Sequence, residues 1–110
     1  MITFNNTSQA KERKSMLEEI KNLLPDKTIE LVHQVFLQGA MKYRPRGYES
    51  VIGGREFYTE KAIGHIKKSK RSHREQESGL PHLAHAAANC LIALWHEQFK
   101  DESIDNEEPK

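Results

Sequence analysis

His82, His85 and Asn89 fall at i, i+3 and i+7, a spacing that lines two imidazoles and an amide along one stripe of a helix. Their neighbours are apolar: Leu83, Ala84, Ala86, Ala87, Ala88, Cys90, Leu91, Ile92, Ala93, Leu94 and Trp95. A buried polar group costs about 1–3 kcal/mol unless it is paired. The stripe therefore requires partners, which can be a metal, a ligand or other side chains. Two arrangements meet that requirement. One is a site between helices, fed by Glu75, Glu77 and Ser78 just upstream. The other is a hydrogen-bond network that fixes helix register. The two histidines alone are no complete ligand set, and a hard cation such as Mg²⁺ would demand oxygen donors as well.

Other residues offer charge rather than a pattern. Arg44 and Arg46 flank a proline and precede a glycine, with Lys42 and Tyr43 at the entrance. Guanidinium groups on such a loop suit phosphate contact, and a solvated basic loop is the simpler alternative. Lys67, Lys68, Lys70, Arg71 and Arg74 form a second basic run, either a solvated helix end or a surface for a polyanion. Glu30 and Glu60 are candidate metal carboxylates, with exposed salt-bridging as the alternative role.

Four helices are expected to position these groups. The first spans about residues 8–24, with Leu17, Ile20 and Leu24 on one face, and Pro25 stops it. Thr28 is the expected cap of a second helix over 28–43, whose stripe is Ile29, Val32, Val35, Phe36 and Ala40. Pro45, Gly47, Gly53 and Gly54 break the chain into a loop. A third helix is expected over 56–71, on Tyr58, Ala62 and Ile66, and its basic end complements the helix dipole. A polar connection over 72–79 leads to a fourth over 81–99. That last helix is apolar nearly all round, which predicts burial in the middle of a bundle. No strand alternation or repeat is visible. The expected architecture is one helical domain over residues 1–100 and an acidic, disordered tail over 101–110.

Composition narrows the functional classes. The chain has 110 residues, 30% charged and 36% hydrophobic, with a net charge of +1 and a mean hydropathy of −0.78. A chain this short and polar closes only a small core, so burial against a second copy would stabilise it. The near-neutral charge gives no field for nucleic acid or membrane. No apolar run is long enough for a transmembrane helix, and the N-terminus lacks an apolar stretch of the signal-peptide kind. The single Cys90, set among alanines and leucines, suits a buried, reduced thiol. A cytoplasmic protein is the expectation.

Three blocks together resemble the phage dATP/dGTP diphosphohydrolases, small all-α relatives of MazG. The segment Gln38-Gly-Ala-Met-Lys-Tyr43 is similar to the GAxKYG segment of that family. Ala62 to Ile66, with His65, resembles its RHL-containing segment. The most specific block runs Glu75-Gln-Glu-Ser-Gly-Leu-Pro-His-Leu-Ala-His-Ala-Ala-Ala-Asn89 and is close to DxESGxxHLAHAxxN. The resemblance covers residues from about Glu30 to Leu94. It implies an all-α class, a small four-helix MazG-like bundle completed by oligomerisation. The implied reaction splits a purine (deoxy)nucleoside triphosphate into the monophosphate and pyrophosphate with Mg²⁺ or Mn²⁺, in a host cytoplasm, by a homodimer or higher homo-oligomer.

Carried over by position, the resemblance implies Glu75 and Glu77 as metal carboxylates, joined by the candidates Glu60 and Glu30. His82 and His85 would orient ligands or touch phosphate, with His65 beside them. Lys42, Tyr43, Arg44 and Arg46 would hold phosphates, and Asn89 would contact the base or support another ligand. The chain also departs from the pattern. Arg44 replaces a glycine, Gly47-Tyr48 stands for Asn-Trp, Gly64 replaces the arginine of RHL, and Glu75 replaces an aspartate. No intact ExxE motif of MazG proper lies on the third helix. Three functions follow: the hydrolase, a nucleotide-sequestering protein on the same fold, and a helical module binding nucleic acid through residues 67–74.

Overall fold

The computed structural model describes residues 18–100. The chain divides into two compact units, one ending at Glu30 and the other beginning at Leu31. In the first unit residues 18–23 are helical. The rest of the first expected helix, residues 8–17, and the acidic tail lie outside the described residues. Three long helices follow: α1 (Asp26–Lys42), α2 (Gly54–Ser69) and α3 (His82–Gln98), with a 3₁₀ turn at Gly47–Ser50 between α1 and α2. The fold is all-α, and among the described residues no strand forms beyond an isolated bridge between Arg74 and Pro81.

Helix starts follow backbone chemistry more closely than side-chain capping. α1 begins two residues before Thr28, because the Pro25 carbonyl accepts the N–H groups of both Thr28 and Ile29, at 3.0 Å each. Asp26 places its negative charge in the first turn, where the helix dipole favours it. α2 also starts two residues earlier than its apolar spacing indicated. Gly53 adopts a left-handed φ of 69°, a conformation a Cβ would disfavour by about 1–2 kcal/mol. Its carbonyl accepts the N–H of Phe57 at 3.0 Å.

The second unit is built on an antiparallel pair, α2 against α3. The pairings run in opposite directions: His65 meets His82, and Gly54 meets His96. Small residues permit the approach, with Ala62 2%, Ala86 4% and Ala93 8% exposed. The part of α1 within this unit closes a second contact, where Val32 clusters with Ala84 and Ala88 and is flanked by Leu31, Val35 and Phe36. The 3₁₀ turn inserts Tyr48 between Phe36 and Trp95, with ring centroids 6.0 and 6.1 Å away in edge-to-face geometry.

The apolar helix α3 is not covered all round within the chain. Leu83, Leu91 and Leu94 remain 60%, 52% and 51% exposed, and Cys90 is exposed with them rather than buried. The physical reason is that α1 and α2 cover only part of a cylinder, and these residues lie on the uncovered side. No helix is long and apolar enough to cross a membrane among the described residues.

Among the described residues the largest fully buried side chain is His96. Its Nε2 lies 2.9 Å from the Tyr48 carbonyl, and its ring covers the Cα of Gly54. A Cβ at position 54 would stand 2.3 Å from the ring. Gly39 and Gly64, also helical, have nothing within 4 Å of a built Cβ. Gly54→Ala is therefore expected to destabilise by about 1–3 kcal/mol through overpacking, despite alanine's helix preference. Gly39→Ala should instead raise stability by about 0.5–1 kcal/mol. Thermal denaturation of the two variants checks the opposite signs.

Candidate active site

The loop before α3 creates the site by folding back on itself. Glu75 N–H donates to the Leu80 carbonyl at 2.8 Å, and His82 N–H to the His73 carbonyl at 2.7 Å. Arg74 fastens the far side by donating from its guanidinium to the Gly79 carbonyl at 2.8 Å. Gly79 closes the turn with a φ of 74°, and its N–H donates to the Glu75 carbonyl at 2.7 Å. The polar connection is thus a pinned loop that holds Glu75 and Ser78 over the first turns of α3.

Three histidines meet beneath it. His65 on α2 and His82 on α3 face each other with Nδ1 atoms 3.0 Å apart. One of these nitrogens must carry the proton and the other accept it. The His65 ring also stacks on His85, with centroids 4.7 Å apart and planes 15° from parallel. Ser78 Oγ lies 2.7 Å from His85 Nε2 and accepts the Leu80 N–H at 3.1 Å. Glu75 Oε1 accepts the Ser78 N–H at 2.7 Å and lies 3.8 Å from that same His85 nitrogen. Serine and carboxylate therefore share one nitrogen of the imidazole. A nucleophilic serine would need the carboxylate on the opposite nitrogen, so Ser78 is not set up as one.

Electrostatics keep the cluster neutral at its centre. Burial, followed by the nearby His85 and His82, lowers the His65 pKa to about 4. Burial also lowers His85, although Glu75 opposes that shift. The Glu75 carboxyl is pushed up by burial but pulled further down by the backbone and hydroxyl of Ser78 and the backbone of Glu77, and ends below its usual value. Neutral imidazoles beside an ionised carboxylate can orient water, accept a proton, or receive a ligand's hydrogen bond.

The other sequence-expected residues are more dispersed. Asn89 is buried on the same stripe, and its amide donates to the His85 carbonyl at 2.8 Å. Glu77 is exposed and pairs with Lys42 at 2.9 Å. Tyr43 is exposed; Arg44 donates to Ser50 Oγ at 3.1 Å, and Arg46 is ion-paired with Glu49. Glu60 is exposed on α2, and Glu30 is exposed in the first unit. Of Glu60, Glu75 and Glu77, the expected metal carboxylates within the second unit, Glu75 alone joins the histidines. Among the described residues no three His, Cys, Asp or Glu side chains converge as a metal cage. The donors present suit Mg²⁺ only in its usual manner of taking one or two carboxylates together with substrate phosphates.

Two features escaped the sequence reading. His96 extends the His82 and Asn89 stripe at a strict spacing of seven, a signal present in the sequence. The second is the groove beside the cluster as an assembled feature: its cations Lys68, Arg71 and Arg74 belong to the basic run read as a surface for a polyanion, but nothing local in the sequence brings them together with Glu75 and His82. The groove is open, about 310 Å³ in volume, and lined by Lys68, Arg71, Ser72, Arg74, Glu75, Gln76 and His82.

Because His65 binds its proton less readily folded than unfolded, folding loses stability as pH falls from about 6.5 to about 4, and the loss is complete below that range. The melting temperature should fall across this window. His65→Gln should flatten the dependence, and an unchanged slope in a pH series of melting curves would contradict the assignment.

No curated protein and no solved structure matched the chain. The family model described as dATP/dGTP diphosphohydrolase, N-terminal, matches residues 6–107, which include every residue of the cluster and the groove. The histidine block, the all-α fold and a match over nearly the whole sequence lead to one conclusion: the chain belongs to the dATP/dGTP diphosphohydrolase N-terminal family.

Proposed function

We propose that the protein hydrolyses a purine (deoxy)nucleoside triphosphate between its α- and β-phosphates. The observation that carries this reading is the cluster of His65, His82 and His85 with Glu75, set at the edge of an open cationic groove. The reaction needs little covalent work from the protein. Water oxygen bonds to the α-phosphorus, the bridging oxygen departs with pyrophosphate, and the water's proton passes to an imidazole of the cluster. Position and charge stabilisation supply the acceleration. Glu75 would hold Mg²⁺ or Mn²⁺ together with the substrate's phosphates, and the bound ion would supply neutralisation of the charge that develops on the phosphate oxygens. Such an activity would let a phage reshape the nucleotide pool of its host.

A nucleotide-sequestering role on the same fold is the second reading. The feature that favours it is Gly64, which leaves open space where the family pattern carries an arginine.

The test is pyrophosphate release from a panel of NTPs and dNTPs with Mg²⁺ or Mn²⁺ and an EDTA control. Metal-dependent release from a purine nucleotide is expected. No release, together with thermal stabilisation by a nucleotide, would support sequestration. His82→Ala and Glu75→Gln should each lower turnover by about a hundredfold or more while leaving helicity by circular dichroism unchanged. Full activity in both would refute the site assignment. A second copy laid over the Leu83, Leu91 and Leu94 face would complete burial of α3. Light scattering should then give a dimer or larger mass, and a concentration-independent monomer would contradict this.

A further inference from the structure

The cations at the end of α1 and in the loop after it are already engaged: Lys42 with Glu77, Arg44 with Ser50, Arg46 with Glu49. Those at the end of α2 are not. Lys68 and Arg71 are exposed and line the groove. Neither side chain makes an ion pair or hydrogen bond among the described residues. Arg74 is held by the Gly79 carbonyl, so the groove has a fixed wall and two cations available to a ligand. Lys68 also acts on the cluster itself, since its charge helps to keep His65 neutral.

We propose that Lys68 and Arg71 bind the β- and γ-phosphates of the triphosphate, and so hold the departing pyrophosphate while its α-phosphate lies at the histidine cluster. This assignment rests on the hydrolase reading above. Arginine offers a planar fork that can engage two phosphate oxygens, and lysine adds a compact charge. Glu75 in the same groove opposes a bare anion, so the pyrophosphate binds as its Mg²⁺ complex.

Titration calorimetry of the full chain with magnesium pyrophosphate, and separately with dAMP and dGMP, tests the assignment. The Lys68→Ala/Arg71→Ala double variant should weaken pyrophosphate binding by about tenfold or more, raise KM for the triphosphate and leave monophosphate affinity unchanged. Lys70→Ala removes a charge from the same run but outside the groove lining, and should not alter pyrophosphate affinity. Unchanged pyrophosphate affinity in the double variant would overturn the subsite, while continued hydrolysis by the wild type would leave the hydrolase reading intact. Pyrophosphate binding lost in the double variant, with no triphosphate cleaved by the wild type, would keep the subsite and remove the hydrolase. Steeply salt-dependent duplex DNA binding that pyrophosphate cannot displace would overturn the proposal in favour of a nucleic-acid surface.

Discussion

Close packing of α2 against α3 is the constraint on which the rest of this unit depends. Alanines at 62, 86 and 93 and a glycine at 54 bring the two backbones near enough for histidines at both ends to span the gap. At one end His96 fills the space over Gly54 and reaches the Tyr48 carbonyl. At the other, His65 meets His82 and stacks on His85. Larger side chains along this seam would separate the helices and dissolve both contacts.

The two ends use the same residue type for different purposes. His96 is enclosed by Tyr58, Trp95 and the backbone of the 3₁₀ turn, so its role is to hold that turn on the helix pair. His65, His82 and His85 are crowded against one another beside a groove. Partial dehydration, aided by the neighbouring imidazoles, keeps protons off His65 and His85. Perturbed titration beside a concave, charged surface is the usual signature of a working site. The pinned loop adds the carboxylate and hydroxyl that make the cluster chemically asymmetric.

Charge is distributed with a similar division of roles. In the basic segment at the end of α1, Glu77 and Glu49 neutralise Lys42 and Arg46, and Ser50 accepts a hydrogen bond from Arg44. The basic end of α2 keeps Lys68 and Arg71 uncommitted next to His82. A net charge of +1 hides this difference, because local pairing, and not total charge, decides which cations can meet an anion.

The sequence by itself determined the all-α class, the three described long helices to within two residues at each end, and the polar stripe of α3. It did so because helical periodicity and the breaks at Pro25, Pro45, Gly53 and Gly79 are local properties of the chain. The family block was legible for the same reason, being a contiguous run of residue types at fixed spacing. Tertiary structure alone decided that Glu75 joins the histidines while Glu77 turns to Lys42, since two residues on one loop diverge according to how that loop is pinned. It also decided which basic segment stays free, that Cys90 lies on an uncovered face, and that Gly54 is needed beneath His96. Each of these depends on which residues from distant segments come into contact, and no local spacing carries that information.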